Sequence, residues 1–404
     1  MEVIETAKKA IERRYLCDNC LGRQFAQLLT GMDNAQRGHA IRAALAMEYE
    51  AKPYPADMRN FYGFKFRRKL KGEAKKPVKC EVCGNIFKKK LAELVDAATS
   101  KLAGFEYGSF LIGTRPAGRT VIAEEELWEE IGADYCEPLK AEVNREAGKL
   151  FEKQTGVRFD RERPDVDILL DLEKGSADIA LRSLFIYGQY KKLVRGIPQT
   201  KWEHYPETVE DIIAGPIMQQ SAGTGHALHA MGREDIDARC LAWRPFVAEI
   251  ENPARRRLDL EKIQKEINRT GKVEVSSLRN SDKNEVREIK HARPLKTYRL
   301  IVKFEKPIAK EDIERARKLA GVIRQRTPER VAHRRADLVR KRKLYSISIK
   351  KLTGKKAEIT VKCEAGLYAK ELMHGDNGRT KPNLSELLNN KAKVIEFDVI
   401  KIWI

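Results

Sequence analysis

Two short motifs, Cys17-Asp-Asn-Cys20 and Cys80-Glu-Val-Cys83, constrain the fold of this chain more than any other feature. Two residues between cysteines let both sulfurs of a tight turn face one ion. Two such knuckles complete a tetrahedral thiolate site, which suits zinc. Gly22 and Gly84 follow the second cysteine of each pair closely, and glycine fits turns that need unusual backbone angles. The long gap between the knuckles implies a subdomain inserted between them. Four thiolates leave no open position for substrate, so the ion is read as structural. The plain alternative is four unrelated thiols, and the paired spacing favours the metal over it. A redox pair is disfavoured because neither motif follows a strand and opens a helix. The chain has 7 cysteines, an odd number that argues against a disulfide framework. Cys136, Cys240 and Cys363 have no metal spacing and read as small apolar residues.

The chain holds 404 residues, with 79 Lys+Arg against 59 Asp+Glu, for a net charge of +20. Such an excess implies an anionic partner, most economically nucleic acid, although an acidic protein or a membrane face would also attract it. No apolar run approaches the ~18–20 residues of a membrane span. The first residues, MEVIETAKKAIERRYL, are amphipathic and charged, without an apolar signal core. The expectation is a soluble, cytoplasmic protein with no membrane association.

Length suggests two or three domains. Helical periodicity covers residues 3–14 and 36–51. From Tyr62 to Lys76, Phe64 and Phe66 alternate with Lys65, Arg67, Arg68, Lys69 and Lys71. That interleaving suits RNA, since bases stack on rings while cations hold phosphates, and equally suits a solvated loop beside the metal. Residues 86–190 read as an α/β module, with strands at 105–113 and 166–172, helices at 124–131 and 140–155, and 177–187 as helix or strand. The run from Tyr190 to Trp202 is basic and turns at Gly196 and Pro198; its Arg195 and Lys201 are candidate phosphate contacts. A linker near 202–207 divides an accessory domain, 1–205, from a second domain, 206–404.

The second domain reads as strands at 224–230, 245–252, 271–277, 296–304, 344–351, 357–364 and 393–403, with helices near 208–216, 258–269, 309–319 and 384–390. Strands and helices without strict alternation suggest an α+β fold on a mixed or antiparallel sheet. Residues 324–343 are densely basic, and Pro328 interrupts them. No P-loop, full GxGxxG, HExxH or GxSxG occurs, so no nucleotide cofactor is expected. The densest polar run is Gly232-Arg233-Glu234-Asp235-Ile236-Asp237-Ala238-Arg239. Taken alone, it reads as a solvated turn with surface ion pairs.

Resemblance changes that weighting. Gly232-Arg233-Glu234-Asp235 resembles the element around the catalytic aspartate of pseudouridine synthases. Lys296-Thr297-Tyr298 is similar to their K-x-Y element, and Gly366 to Leu372 resembles the element supplying an aromatic residue and a basic partner. The runs GREDIDARCLAWRPFVAEIENP, KTY, TPERVAHRRADLVR and LYAKELMHGDNGRTKPNLSELL follow in that order. Together they resemble the archaeal and eukaryotic tRNA pseudouridine synthase family numbered ten. CDNCLGRQF, CEVCGNIF and KKLVRGIPQTKW are similar to its zinc-bearing, THUMP-containing accessory region, so the resemblance spans nearly the whole chain.

The resemblance implies an α+β fold: an N-terminal zinc-bearing THUMP-like α/β accessory domain and a C-terminal pseudouridine-synthase-like domain on a mixed or antiparallel sheet. It implies isomerisation of uridine 54 and/or 55 in the TΨC arm of tRNA, without an organic cofactor. Asp235 is the implied nucleophile, with Lys370 as its cationic partner and Arg233 second. Tyr298 would stack on the flipped uracil, and Tyr368 would pack on the target base or ribose. Arg330, His333, Arg334, Arg335 and Arg379 would grip the RNA backbone. Zinc would sit on Cys17, Cys20, Cys80 and Cys83. The alternative is a non-catalytic tRNA-binding or tRNA-folding protein on the same scaffold. A THUMP-bearing methyltransferase or thiouridine synthase would need a methyl-donor site or an ATP loop, and neither motif occurs.

Overall fold

A computed structural model describes residues 2–68, 75–77 and 79–404. The chain forms two compact units, Met1–Arg182 and Ser183–Ile404.

The first unit opens with α1 (Val3–Ile11), α2 (Asp18–Gly22) and α3 (Asn34–Ala51). α3 starts at a reciprocal cap: the Gln36 amide donates to Asp33 Oδ1 at 2.7 Å, and Gln36 Oε1 accepts from the Asp33 amide at 3.1 Å. α2 and α3 meet at two glycines. A Cβ on Gly22 would lie 1.9 Å from the Asn34 carbonyl oxygen, and one on Gly38 would lie 1.9 Å from that of Asp18. Only a hydrogen fits at either position, and this approach seats α2, which carries Cys20.

After the second knuckle come α4 (Lys90–Lys101), β1 (Ser109–Arg115), α5 (Gly118–Ile131), α6 (Leu139–Thr155), β2 (Arg158–Phe159), β3 (Val166–Asp171) and β4 (Ser176–Leu181). The sheet order is β2-β1-β3-β4; β1 runs parallel to β2 and β3, and β4 antiparallel to β3. Phe110 and Ile112 of β1 and Val166, Ile168 and Leu170 of β3 alternate inward, into one core with Leu127, Val143 and Phe151 of the helices.

The second unit runs β5 (Leu184–Lys192), α7 (Val209–Ser221), β6 (Gly225–Ala230), β7 (Ala238–Glu251), α8 (Leu260–Arg269), β8 (Val273–Ser281), α9 (Lys283–His291) and β9 (Leu295–Phe304). It continues α10 (Lys310–Arg317), β10 (Gly321–Arg326), β11 (Val339–Lys351), β12 (Lys356–Cys363), α11 (Ala369–His374), β13 (Thr380–Lys381), α12 (Leu384–Leu388) and β14 (Ala392–Trp403). The strands form one sheet in the order β13-β10-β11-β12-β9-β14-β7-β5-β8, with β6 on β7. Neighbours are antiparallel except β14 and β7, which are parallel. The mixed sheet expected from the sequence is therefore present.

Three differences from the sequence reading have physical causes. Residues 177–187 contain parts of two strands, β4 and β5, that belong to different sheets. β5 hydrogen-bonds to β7 and β8, so the division between compact units falls at 182/183 rather than 205/206. The basic run 324–343, expected between two elements, spans the end of β10, a 3-10 turn (Glu329–Arg334) and the start of β11. α7 passes the expected end at 216 and contains Pro216. Its first turn is fixed by Thr208, whose hydroxyl accepts from the Asp211 amide at 3.0 Å. Among the described residues no helix is long and apolar enough to cross a membrane.

Candidate functional site

In the first unit, the sulfurs of Cys17, Cys20, Cys80 and Cys83 lie within 4.8 Å of one another, and those of Cys17 and Cys83 are 3.5 Å apart. The turns expected of knuckles are present: the Leu21 amide donates to the Cys17 carbonyl at 2.9 Å and the Gly84 amide to that of Cys80 at 3.0 Å. Gly84 has φ +61°, which favours glycine. The Cys17 amide donates to Cys80 Sγ at 3.3 Å, and the buried Arg23 guanidinium donates to Cys20 Sγ at 2.9 Å. A tetrahedral ion with metal–sulfur bonds of ~2.3 Å separates its ligands by roughly 3.8 Å. The cluster therefore fits a metal ion held by four thiolates. Hydrogen bonds from the Cys17, Cys20 and Cys83 thiols hold Cys80 well below the usual thiol range.

Nearby Phe66 does not face outward. Its ring packs 6.0 Å from that of Phe61 and 6.4 Å from that of Tyr49, partly buried against the first unit's core. Phe64 stacks beside His39 at 6.0 Å. Lys69 and Lys71 lie outside the described residues. Cys136, Cys240 and Cys363 are buried, as their isolation in the sequence suggested.

In the second unit, the loop between β6 and β7 carries Arg233, Glu234 and Asp235. It turns at Gly232, with φ +81°, where a Cβ would come 2.7 Å from Lys296 Nζ. Glu234 points inward. Its carboxylate and the Arg244 guanidinium, 3.1 Å away, are both 0% exposed. The Tyr190 hydroxyl donates to Glu234 at 3.0 Å and accepts from Gln199 at 2.7 Å. With Glu234 pinned, the next side chain emerges toward α11.

Asp235 Oδ2 lies 3.2 Å from Lys370 Nζ and 3.2 Å from an Arg330 terminal nitrogen. The contact given for each cation falls on the same oxygen. Burial pushes the Asp235 carboxyl up, but Arg330 and Lys370 outweigh it and hold the group below the usual carboxylate range. Lys370 is shared with Asp237 at 2.6 Å, and Arg330 Nε donates to the buried Glu371 at 2.6 Å. Tyr298 projects inward from β9 and stacks on Phe397 of β14, with centroids 5.1 Å apart and planes 21° apart. Lys370 Nζ lies 5.3 Å from the centre of the same Phe397 ring. Burial pushes the Tyr298 phenol up. Lys296, two residues before it on the same strand face, is lowered to about 8 by burial and by Arg244.

The other residues singled out in the sequence divide clearly. The Tyr368 amide donates to Gln325 Oε1 at 2.8 Å, and its hydroxyl accepts from Arg335 at 3.4 Å, so both side chains lie in the neighbourhood of α11. Arg379 donates to the Thr327 carbonyl at 2.9 Å and to Asp337 at 2.7 Å, which ties down the segment after β10. His333 and Lys201 are exposed. The Arg334 side chain lies outside the described residues.

Two expectations change. Arg233 is exposed and makes no ion pair among the described residues; Arg330, expected on the RNA backbone, is the second cation on Asp235. Arg195 does not point free toward a phosphate. Its guanidinium donates to the Asp237 and Phe397 carbonyls at 2.8 and 2.6 Å and pairs with Asp398 at 2.6 Å. Sequence reasoning missed Glu234, Arg244, Phe397 and Glu371. Glu234 was visible only as one of three carboxylates in a charged run, and nothing local marks which of them turns inward.

Residues 185–403 match the family model described as "Pus10, C-terminal", and residues 94–171 match "Pus10 THUMP domain, archaeal". A protein of Methanothrix thermoacetophila named tRNA pseudouridine synthase Pus10 is 40% identical, covering 99% of this chain and 94% of that protein. Proteins of the same name from Methanopyrus kandleri and Pyrococcus furiosus are each 36% identical, covering 99% of this chain and 98% of theirs. The chain belongs to the Pus10 family of tRNA pseudouridine synthases.

Proposed function

We propose that this protein isomerises uridine to pseudouridine at position 54 and/or 55 in the TΨC arm of tRNA, with Asp235 as nucleophile and no organic cofactor. The observation that carries this reading is the Asp235 carboxylate, held anionic by two cations, Lys370 and Arg330, each 3.2 Å from its Oδ2. The target uridine must leave its stack to reach that carboxylate. The Asp235 carboxylate bonds to C1′ or stabilises the sugar cation as the C1′–N1 bond breaks. The uracil turns, C5 bonds to C1′ as any Asp235–C1′ bond breaks and frees the carboxylate, the C5 proton departs and N1 gains one. The product is an isomer, so neither a reductant nor a group donor is consumed.

Tyr298 offers a ring face to the uracil, and burial keeps its phenol protonated, so its part in C5 proton transfer is that of a hydrogen-bonding relay. Tyr368 packs on the base or ribose. His333, Arg334, Arg335 and Lys201 contact the RNA backbone, while Arg379, engaged by Asp337, holds the segment after β10 in place. Zinc in the four-cysteine cluster ties the knuckles of the accessory unit together and takes no part in chemistry. The working place of such an enzyme is the cytoplasm, with tRNA.

The test is incubation with an unmodified tRNA transcript, followed by pseudouridine mapping at single-nucleotide resolution. Modification at 54 or 55 by the native protein, and none by Asp235→Asn with tRNA still bound, is expected. Unchanged modification by Asp235→Asn would refute the nucleophile. No modification by the native protein would favour the non-catalytic tRNA binder.

A further inference from the structure

β5 ends on a buried ammonium. Its inward positions alternate through Leu184, Ile186 and Tyr190, which pack in one core, and then reach Lys192, which is 0% exposed. Packing alone would place another apolar residue there. Instead Lys192 Nζ donates to three backbone carbonyls: Ile197 at 2.9 Å, Asp235 at 3.1 Å and Ile236 at 3.2 Å. It makes no ion pair with a carboxylate among the described residues. Burying an ammonium is unfavourable unless its donors are satisfied, so three carbonyls converging on one amine mark a site built around it.

The turn that follows extends the same grip. The Gly196 amide donates to the Ile236 carbonyl at 2.9 Å, and Arg195 donates to the Asp237 carbonyl at 2.8 Å. Arg195 is itself anchored on Asp398 at 2.6 Å. Three consecutive carbonyls of the loop, those of Asp235, Ile236 and Asp237, are thus held by one short segment. The peptide carrying Asp235 is fixed from behind, while Lys370 and Arg330 fix its carboxylate in front.

We propose that Lys192 is a positioning residue for pseudouridine formation, setting the Asp235 peptide so that its carboxylate meets the target sugar at the correct distance and angle. This rests on Asp235 being the nucleophile. Lys192 is buried and has no surface to offer RNA, so its loss acts on the chemical step rather than on tRNA affinity. A displacement of the reacting group by about 1 Å can cost on the order of 100-fold in rate.

The experiment compares Lys192→Met, which keeps the volume without donors, with Lys192→Gln, which keeps an amide donor, in the full chain. Single-turnover pseudouridine formation, tRNA Kd and thermal melting are read together. The expected result is a rate lower by about 10–100-fold for Lys192→Met, a smaller loss for Lys192→Gln and a Kd within about twofold of native. A rate within twofold of native for Lys192→Met would overturn the proposal. So would a parallel loss of rate and affinity in both variants, which marks a purely structural role. If Lys192→Met gives no cooperative melt, Lys192→Gln decides by the same two criteria. Asp235→Asn is assayed beside them; its retained activity would sink the nucleophile assignment whatever the Lys192 variants do.

Discussion

Glu234 and Asp235 are adjacent carboxylates with opposite fates. Glu234 forms a fully buried pair with Arg244. Removing one member of such a pair leaves an uncompensated buried charge, which costs about 3–5 kcal/mol. Glu234→Ala is therefore expected to lower unfolding stability by that amount in urea titrations, and a change below about 1 kcal/mol would contradict the assignment. Asp235 keeps partial exposure and a lowered pKa. A lowered folded pKa stabilises the protein above the unfolded value of ~3.9, and that stabilisation is lost as pH falls through the folded value. Lys370→Met removes one opposing cation and leaves burial, which raises the pKa. The acid limb of the pH–rate profile should move to higher pH, and a profile that overlays the native one would show that Lys370 does not set the ionisation. The sequence marked this loop as polar, but composition is the same for the buried and the presented carboxylate. Only the fold distinguishes them.

At the scale of elements, periodicity made most helices and strands legible. α3, α6, β3, β9 and β12 fall close to their expected spans because their apolar residues repeat at one period over enough residues. α9 escaped notice because only Val286 and Ile289 of its nine residues are buried, and α11 is six residues long. β4 and β5 merged into one apolar run, since a break between two sheets leaves no mark when both neighbours are strands. The crossing of α2 and α3 gives a sharp test. Gly38→Ala forces a Cβ to within 1.9 Å of the Asp18 carbonyl, so the backbones must part. Overpacking of this kind costs typically ~1–3 kcal/mol. The expected outcome is a lower melting temperature together with reduced metal retention against a chelator, because α2 carries Cys20. Native metal retention would separate that crossing from the knuckle.

For the whole molecule, nearly all of the net charge of +20 falls in the second unit, and much of it is already engaged. Arg195, Arg239 and Arg299 all converge on the buried Asp398, and Arg326 and Arg379 converge on Asp337. The charge left for RNA is therefore smaller than the formal count. tRNA affinity should still fall steeply with salt; contacts to some six phosphates weaken binding on the order of 1,000-fold between 50 and 200 mM. A flat titration would contradict broad phosphate recognition. Cys17→Ala should lower bound metal and weaken tRNA binding, read by elemental analysis and by a binding isotherm. Full metal content in that variant would count against the four-thiolate assignment.

The sequence by itself determined the two knuckles, the α+β class and the order of the family's motifs, among them the one whose resemblance singles out Asp235. These are local signals, carried by spacing and periodicity along a few residues. The tertiary structure decided which charges meet. It placed Arg330 rather than Arg233 on Asp235, engaged Arg195 on Asp398 and the Asp237 carbonyl, buried Glu234 against Arg244 and set Lys192 behind the loop that carries Asp235. Charged side chains far apart in the chain carry no pattern that names their partners. Their pairing follows from sheet register and burial, which exist only once the strands have come together.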